Sequence, residues 1–246
     1  MLFDAHLHIF DPAFPMPGNQ GFVPDAFTVA DYRARTAPLG IVGGAVVAAS
    51  TQGTDPAPLL AAAAALGPRF VVVAEAHPGQ DDAAFAALAE AGVRGVRFNL
   101  WRGGTFDIPA MLAHARAAAT HGLHAELYAD AATLGPHVEA LAALPAGLAL
   151  DHLGMTEAGL PVTVALAEVG VKVKATGFGR VALDVPRALE ALARAAPRCL
   201  MAATDLPSTR AARPFADDDL GLITRILGPD LAAAALSDTA GAFYRA

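Results

Sequence analysis

The amino-acid sequence predicts a single-domain (β/α)8 barrel of the TIM type. Short apolar segments alternate with alanine-rich amphipathic segments along the whole chain, which is the pattern of parallel strands joined by helices. Eight such pairs in 246 residues match the usual size of this barrel. A dinucleotide-binding open sheet is disfavoured, because no glycine-rich turn follows the first apolar segment. No linker divides the sequence, so we expect one domain over residues 1–246.

Each strand is predicted from a short apolar run, and each helix from an amphipathic or alanine-rich segment that follows it. The eight predicted strands span residues 2–8, 44–49, 70–77, 93–100, 124–128, 148–153, 171–176 and 199–205. The eight predicted helices span residues 29–39, 56–66, 81–91, 109–121, 134–144, 162–168, 185–195 and 218–227. Catalytic groups in such a barrel lie at the carboxyl ends of the strands, so polar residues there are the candidates for a site.

Composition and charge exclude several classes of function. The chain has 17 Lys and Arg against 24 Asp and Glu, a formal net charge of −7, so we expect no nucleic-acid partner. Cys199 is the only cysteine, which rules out an internal disulfide and favours the cytoplasm. Apolar runs such as residues 59–66 are far shorter than the roughly 20 residues of a membrane span, so we expect no membrane partner. The N-terminus does not resemble a signal peptide.

The first strand carries a pair of histidines. Alternation places Asp4, His6 and His8 on one face of this strand, opposite an apolar face. The two imidazoles can converge as metal ligands or as groups that polarise a carbonyl, and a pair of hydrogen-bonded core histidines is the alternative. The eighth strand ends in Asp205, beside strand one where the barrel closes, and this carboxylate is predicted to be a metal ligand or a general base for water. His152, at the end of strand six, joins the candidate group.

Three arginines are predicted at the same rim. Arg97 lies on the inward face of strand four and needs an anion, either a substrate carboxylate or an interior carboxylate such as Glu126. Arg102 and Arg180 follow strands four and seven, and this concentration of positive charge favours a carboxylated ligand. Tyr128, at the end of strand five, is predicted to line the mouth.

Strand seven carries both lysines of the chain. Alternation predicts that Lys172 and Lys174 point inward, where an ammonium group requires compensation by Asp4 or Glu126. His124 stands at the amino end of strand five, which is the stability face of a barrel, and is not a candidate for the site.

Four segments, in their order along the chain, resemble the amidohydrolase superfamily, and more narrowly its 2-pyrone-4,6-dicarboxylate lactonase branch. They are Phe3-Asp4-Ala5-His6-Leu7-His8, Arg94-Gly95-Val96-Arg97-Phe98-Asn99, Asp151-His152-Leu153-Gly154 and Thr204-Asp205-Leu206-Pro207. The resemblance implies hydrolysis of a small carboxylated lactone, of the kind formed in the breakdown of aromatic compounds or of sugar acids. It also implies that Asp205 is the general base, that His6, His8 and His152 polarise the carbonyl, and that Arg97, Arg102 and Arg180 bind substrate carboxylates while Tyr128 lines the site.

The resemblance leaves a metal as the main open question. Relatives with two metals add a carboxylate on strand four and a histidine on strand five, where this chain has Asn99 and Tyr128, so a binuclear site is not expected. The lactonase branch implies a reaction without metal, and nearby arginines disfavour a dication. We therefore expect no essential metal. The alternative is one zinc or manganese ion held by His6, His8 and Asp205, with His152 as a possible fourth ligand.

The chain departs from this branch at two positions directly after the eighth strand. The branch usually has Trp and His where this chain has Leu206 and Ser208, so we expect a differently shaped pocket mouth.

Two rival functions are open. One rival is a metal-dependent decarboxylase of the same superfamily that uses the same histidines and Asp205. The other is a barrel that binds a small acid without turning it over. The sequence does not predict the oligomeric state.

Overall fold

Eight parallel strands form one sheet in which the strand order follows the chain. The computed structural model describes residues 1–245, and it confirms the predicted (β/α)8 barrel. The limits of the domain, residues 1–246, stay a prediction. The strands are β1 Leu2–Leu7, β2 Ile41–Val47, β3 Phe70–Glu75, β4 Val93–Asn99, β5 His124–Tyr128, β6 Leu148–Leu150, β7 Lys172–Ala175 and β8 Leu200–Ala202.

The helices follow the strands and cover the outside of the barrel. Three of them begin at an aspartate that caps the first turn, namely Asp81, Asp107 and Asp184. The helices are α1 Val29–Thr36, α2 Ala57–Leu66, α3 Asp82–Glu90, α4 Ile108–Thr120, α5 Val138–Ala142, α6 Leu160–Glu168, α7 Val185–Ala195, α8 Asp217–Ala233 and α9 Thr239–Tyr244. Helical turns of the 3-10 type span Ala37–Leu39, Ala131–His137 and His152–Gly154, and a π-helix spans Ala234–Asp238.

The barrel closes between its last and first strands. The backbone N–H of Asp205 donates to the carbonyl of His6 at 2.8 Å. Nearer the amino ends of these two strands, the side chain of Asp4 takes the place of backbone-to-backbone hydrogen bonds. It accepts from the backbone N–H and the hydroxyl of Thr204 at 2.9 and 2.7 Å. Tyr32, from α1, donates to the same carboxylate at 3.0 Å. Asp4 is therefore the side chain that joins β1 to the end of β8.

Helix α9, which the sequence did not predict, closes the amino end of the barrel. Tyr244 is 1% exposed, and its ring stacks on Phe3 with centroids 5.7 Å apart. Its hydroxyl donates to Glu126 inside the barrel at 2.7 Å and to the carbonyl of Ala5 at 3.1 Å. The last helix thus supplies a partner for a buried charge.

Two element boundaries differ from prediction for conformational reasons. β6 ends at Leu150 rather than at residue 153, because His152 and Leu153 have φ angles of 50° and 54°, which no strand accommodates. The predicted fifth helix is divided into a 3-10 segment and α5, because Pro136 cannot donate to an α-helical ladder.

One helical stretch, Asp217–Tyr244, is long and apolar enough to cross a membrane by length and composition alone. The helix is interrupted at Gly228, where φ is 71°, and it contains Pro229. The absence of a membrane partner stays a prediction.

Candidate active site

The predicted site residues converge on one small cavity at the carboxyl ends of the strands, where the catalytic groups of such barrels lie. The cavity has a volume of about 30 Å³, and seven of the eight predicted residues line it. They are His8, Arg97, Arg102, Tyr128, His152, Arg180 and Asp205. The eighth, His6, is fully buried and directly contacts His8 and His152.

His6, His8 and Asp205 form a triangle of facing ligand atoms. The two Nε2 atoms are 3.3 Å apart, and they lie 3.8 Å (His6) and 3.7 Å (His8) from Asp205 Oδ1. His8 Nδ1 lies 2.7 Å from the carbonyl of Val47, so it carries the hydrogen and leaves Nε2 as a lone-pair donor. The centre of such a triangle is about 2.1 Å from each atom, which is the bond length of zinc to nitrogen and oxygen ligands.

The two carboxylate oxygens of Asp205 have different surroundings. Oδ2 accepts from Arg180 Nε at 2.8 Å and from Arg180 Nη2 at 2.5 Å, whereas Oδ1 is buried without a hydrogen-bond partner among residues 1–245. Burial works to raise the pKa of Asp205, but the Arg180 guanidinium outweighs it and holds that pKa well below its usual range. Asp205 also has a φ angle of 56°, a conformation that is costly outside glycine and frequent at functional sites.

Arg97 is paired inside the barrel with a carboxylate that the sequence analysis did not single out. Its Nε donates to Asp151 Oδ2 at 2.8 Å, and its Nη1 donates to the carbonyl of Ala48 at 3.0 Å. The structural partner is therefore Asp151 rather than Glu126. Asp151 immediately precedes His152 at the end of β6, and this adjacency to a predicted site residue was the signal in the sequence. Burial raises the pKa of Asp151, but Lys174 and Arg97 hold it well below its usual range.

Lys174 is the interior cation that the sequence predicted. Its Nζ lies 2.5 Å from Glu126 Oε2, 3.2 Å from Asp151 Oδ1 and 3.0 Å from His6 Nδ1. Burial, together with the Lys174 charge, lowers the pKa of His6 to about 3, so His6 is neutral at physiological pH. The inward orientation predicted for Lys172 is wrong. Lys172 lies at the edge of the barrel, where its Nζ donates to the carbonyl of Arg198 at 3.1 Å.

His152 and Tyr128 line the opposite wall of the cavity. The ring of His152 packs edge-on against His6 and Tyr128, with centroids 5.1 Å away in both cases. Its Nδ1 atom is buried and has no hydrogen-bond partner in the described part of the chain, and burial holds the pKa of His152 well below its usual range. Tyr128 lies under Arg97, whose guanidinium carbon is 4.8 Å from the ring centroid.

The roof of the cavity includes Arg210, which the sequence analysis missed. Its guanidinium lies 4.4 Å from the ring centroid of Phe22 and hydrogen-bonds to the carbonyl of Asn19, in the long loop after β1. Arg102 lies nearby, and its Nε has no partner within residues 1–245. Arg210 stands only five residues after Asp205, and this position beyond a strand end was the available signal.

Leu206 and Ser208 do not form the pocket mouth, contrary to prediction. Leu206 is 5% exposed and belongs to the hydrophobic core. Ser208 is also buried, and its hydroxyl accepts a hydrogen bond from the N–H of Phe215 at 3.0 Å. The chain turns directly after Asp205, so these two side chains point away from the cavity and Thr209 and Arg210 line it instead.

A family model described as amidohydrolase matches residues 3–246. A 2-pyrone-4,6-dicarboxylate hydrolase from Comamonas testosteroni is 31% identical over 155 residues, which cover 61% of this chain and about half, 51%, of that relative.

Solved structures share the fold at lower sequence identity. A crystal structure from Agrobacterium tumefaciens superposes with a TM-score of 0.85 at 20% identity, covering 100% of this chain and 96% of the other. A probable 2-pyrone-4,6-dicarboxylic acid hydrolase from Acinetobacter baumannii, solved with citric acid bound, has a TM-score of 0.82 at 18% identity, covering 100% of this chain and 99% of the other. At these identities the likeness shows the fold alone.

The expectation that no metal is required is wrong. Members of the matching superfamily are generally metal-dependent, and His6, His8 and Asp205 present three ligand atoms within 4.8 Å of one another. The expectation relied on the resemblance to a branch that works without metal and on repulsion between arginines and a dication, but Arg180 and Arg97 already pair with Asp205 and Asp151. With these charges compensated, the unpartnered Oδ1 of Asp205 and the two facing imidazoles fit a single divalent cation.

Proposed function

The chain belongs to the amidohydrolase family, and from this premise we propose that it is a hydrolase that opens small carboxylated lactones. The observation that carries the proposal is the lining of one cavity by the Asp205 carboxylate and four arginines. Arg97 and Arg180 pair with carboxylates, whereas Arg102 and Arg210 have no carboxylate partner within residues 1–245. Planar guanidinium groups bind carboxylates through paired hydrogen bonds, so this lining suits an anionic substrate. The name of the Comamonas relative and the citric acid in the Acinetobacter structure are consistent with such a substrate.

In the proposed reaction Asp205 is the general base. Its Oδ2 accepts a proton from water while the water oxygen bonds to the lactone carbonyl carbon, and its Oδ1 stays turned toward the two imidazoles. The ring carbon–oxygen bond then breaks and the proton passes to the leaving oxygen, which gives a hydroxyl group and a carboxylic acid that loses its own proton to solvent. The His152 imidazole, which lines the same cavity, donates to the carbonyl oxygen as negative charge develops there.

Arg180 links substrate binding to the strength of this base. While Arg180 donates twice to Asp205 Oδ2, the low pKa of Asp205 makes it a weak proton acceptor. A substrate carboxylate that accepts from Arg180 weakens this ion pair, so the pKa of Asp205 rises toward a more useful value. This coupling predicts that carboxylated lactones react faster than neutral ones of equal ring strain.

His6, His8 and Asp205 would hold the divalent cation, and His152 lies next to them. When bound, the cation supplies Lewis-acid polarisation and lowers the pKa of water. The chain's own contribution is to fix the His8 imidazole through Val47 and to keep His6 neutral.

The test is turnover of matched carboxylated and neutral lactones by the purified protein, before and after chelation, with metal content determined on the same sample. We expect the carboxylated lactones to be preferred. Asp205→Asn should lower turnover by about 10²–10⁴-fold while retaining ligand binding. The exposed Glu90→Gln variant serves as a control and should be unaffected. Equal turnover of neutral lactones, or an active Asp205→Asn protein, would contradict the proposal.

A metal-dependent decarboxylase is the second candidate, because the His6–His8–Asp205 triangle also suits that chemistry. Release of carbon dioxide from aromatic acids in the presence of zinc, without lactone opening, would favour this candidate.

A further inference from the structure

A second cleft adjoins the cavity over Asp205. It has a volume of about 180 Å³ and lies at the carboxyl ends of β3 and β4. Ser50 and Arg102 line both spaces, so the cleft begins where the walls of the Asp205 cavity end. A substrate held over Asp205 would therefore direct one of its substituents past Arg102 into the cleft.

Glu75 lines this cleft and has a carboxylate oxygen without a hydrogen-bond partner among the described residues. It is the last residue of β3 and lies beside Arg97 in the strand register. Its Oε2 atom is buried and accepts no hydrogen bond from any residue in the range 1–245. Burial raises the pKa of Glu75 to about 7, although Arg97 opposes this. A buried carboxyl oxygen without a partner is costly to a fold and marks a position where a ligand group completes the hydrogen bonding.

Apart from the guanidinium of Arg102, the other walls of the cleft offer uncharged hydrogen-bonding groups. Thr54 and Thr105 contribute hydroxyls to the lining. The side-chain oxygen of Asn99 already accepts from the backbone N–H groups of Trp101 and Arg102 at 3.3 and 3.0 Å, so its amide hydrogens remain for a ligand. A group that both donates and accepts hydrogen bonds matches this set.

We propose that Glu75 is a specificity-determining residue that accepts a hydrogen bond from a hydroxyl group on the substrate, in the cleft across Arg102 from Asp205. This inference rests on the proposed function, because it assigns a second substituent to the same carboxylated lactone. A second carboxylate in this position would face the acidic Glu75, and an apolar group would leave Glu75 without a partner. Hydroxyl groups avoid both costs.

The experiment measures binding of two acids to the inactive Asp205→Asn protein by calorimetry. The probes are 5-oxotetrahydrofuran-2-carboxylate and its 3,4-dihydroxy derivative, which share the lactone ring and the carboxylate. We expect the dihydroxy acid to bind about 10–100-fold more tightly, as hydrogen bonds to a charged or strongly polar group allow. Adding Glu75→Leu should abolish this preference, whereas Glu75→Gln, which keeps an acceptor oxygen, should retain most of it.

Glu90→Gln in the same background controls for a change of surface charge, and thermal denaturation checks that each variant is folded. A preference that survives Glu75→Leu, or no preference in the Asp205→Asn protein, overturns the inference. Turnover of the plain acid by the unmodified protein reports separately on the proposed function. If neither acid is opened but the binding preference depends on Glu75, lactone opening is wrong and the assignment of Glu75 holds.

Discussion

Arg97 and Arg102 lie on the same cavity wall but differ in what they do for the fold. Arg97 is 3% exposed and neutralises the buried Asp151, so removing it leaves a carboxylate without its cation. Arg102 is only half-buried, and its Nε has no partner among residues 1–245. Substitutions at the two positions therefore separate stability from ligand binding.

Arg102→Gln should raise KM for carboxylated lactones by about 10–100-fold and leave neutral lactones unchanged, because one charged hydrogen bond to the substrate is lost. Arg116→Gln, on the exposed face of α4, is the matched control and should change neither value. Steady-state kinetics measure these effects, and equal changes of KM for both lactone classes would remove Arg102 as a carboxylate ligand.

Arg97→Met, in contrast, should lower the free energy of unfolding by about 3–5 kcal/mol. Urea denaturation measures this loss.

At the scale of elements, one side chain of β7 connects this strand to β1, to β5 and to the segment after β6. Lys174 reaches Glu126 of β5, Asp151 after β6 and His6 of β1 across the barrel interior. Lys172, two residues earlier on the same strand, reaches only the carbonyl of Arg198 at the barrel edge within the described residues. The same strand thus offers a buried and a peripheral lysine for comparison.

Lys174→Met should destabilise the protein by about 3–5 kcal/mol, since Glu126 loses the cation that holds its pKa at about 2. Lys172→Met should cost less than about 1 kcal/mol. Chemical denaturation of both variants tests this difference, and similar values for the two would show that the interior ion pairs contribute little.

Alternation along the strands was enough to predict which face of β1, β4 and β5 carries the candidate site, and Asp205 was predicted from its place at the end of the eighth strand. It predicted the convergence of His6, His8 and Asp205, because parallel strands meet at one end of the barrel. It could not predict that Arg97 pairs with Asp151, since the choice among interior carboxylates depends on distances across the barrel. Part of the error about metal has the same origin, because the sequence does not show that Arg97 and Arg180 pair with Asp151 and Asp205. Arg210 was missed because it lies in a loop without periodicity.

At the scale of the whole molecule, the closure of the barrel depends on pH through Asp4. Burial is the main reason that the pKa of Asp4 rises from 3.8 to about 6, against the opposing hydrogen bonds from Thr204 and Tyr32. The folded protein therefore binds this proton more tightly than the unfolded chain does. The contribution of Asp4 to stability is complete below pH 3.8 and is lost as the pH rises through about 6.

Asp4→Asn removes this titration. The free energy of unfolding of the unmodified protein minus that of the variant should fall by about 2.5 kcal/mol between pH 4 and pH 7, because folding raises the pKa of Asp4 from 3.8 to about 6. Urea denaturation at several pH values gives this difference. The exposed Asp25→Asn variant should show no such slope, and a flat difference for Asp4→Asn would contradict the role of Asp4.

Metal removal should also affect the whole molecule. We expect about one divalent ion per chain, lost in His6→Ala and His8→Ala variants, because each removes a corner of the triangle. At a free metal concentration of about 100 Kd, binding adds about 2.7 kcal/mol, so chelation should lower Tm by about 5–10 °C. His137→Ala, a histidine remote from the triangle, is the control. Metal analysis and thermal denaturation test this, and an unchanged Tm after chelation would contradict a bound ion.

The roof built by Arg210, Phe22 and Asn19 has a kinetic consequence. The space beneath this roof is only about 30 Å³, which leaves little room for a lactone ring while Arg210 lies against Phe22. We therefore expect a substrate to displace this loop as it enters and leaves. The turnover number of the enzyme will then report on how often the loop opens, so solvent viscosity should slow it even though bond breaking is insensitive to viscosity.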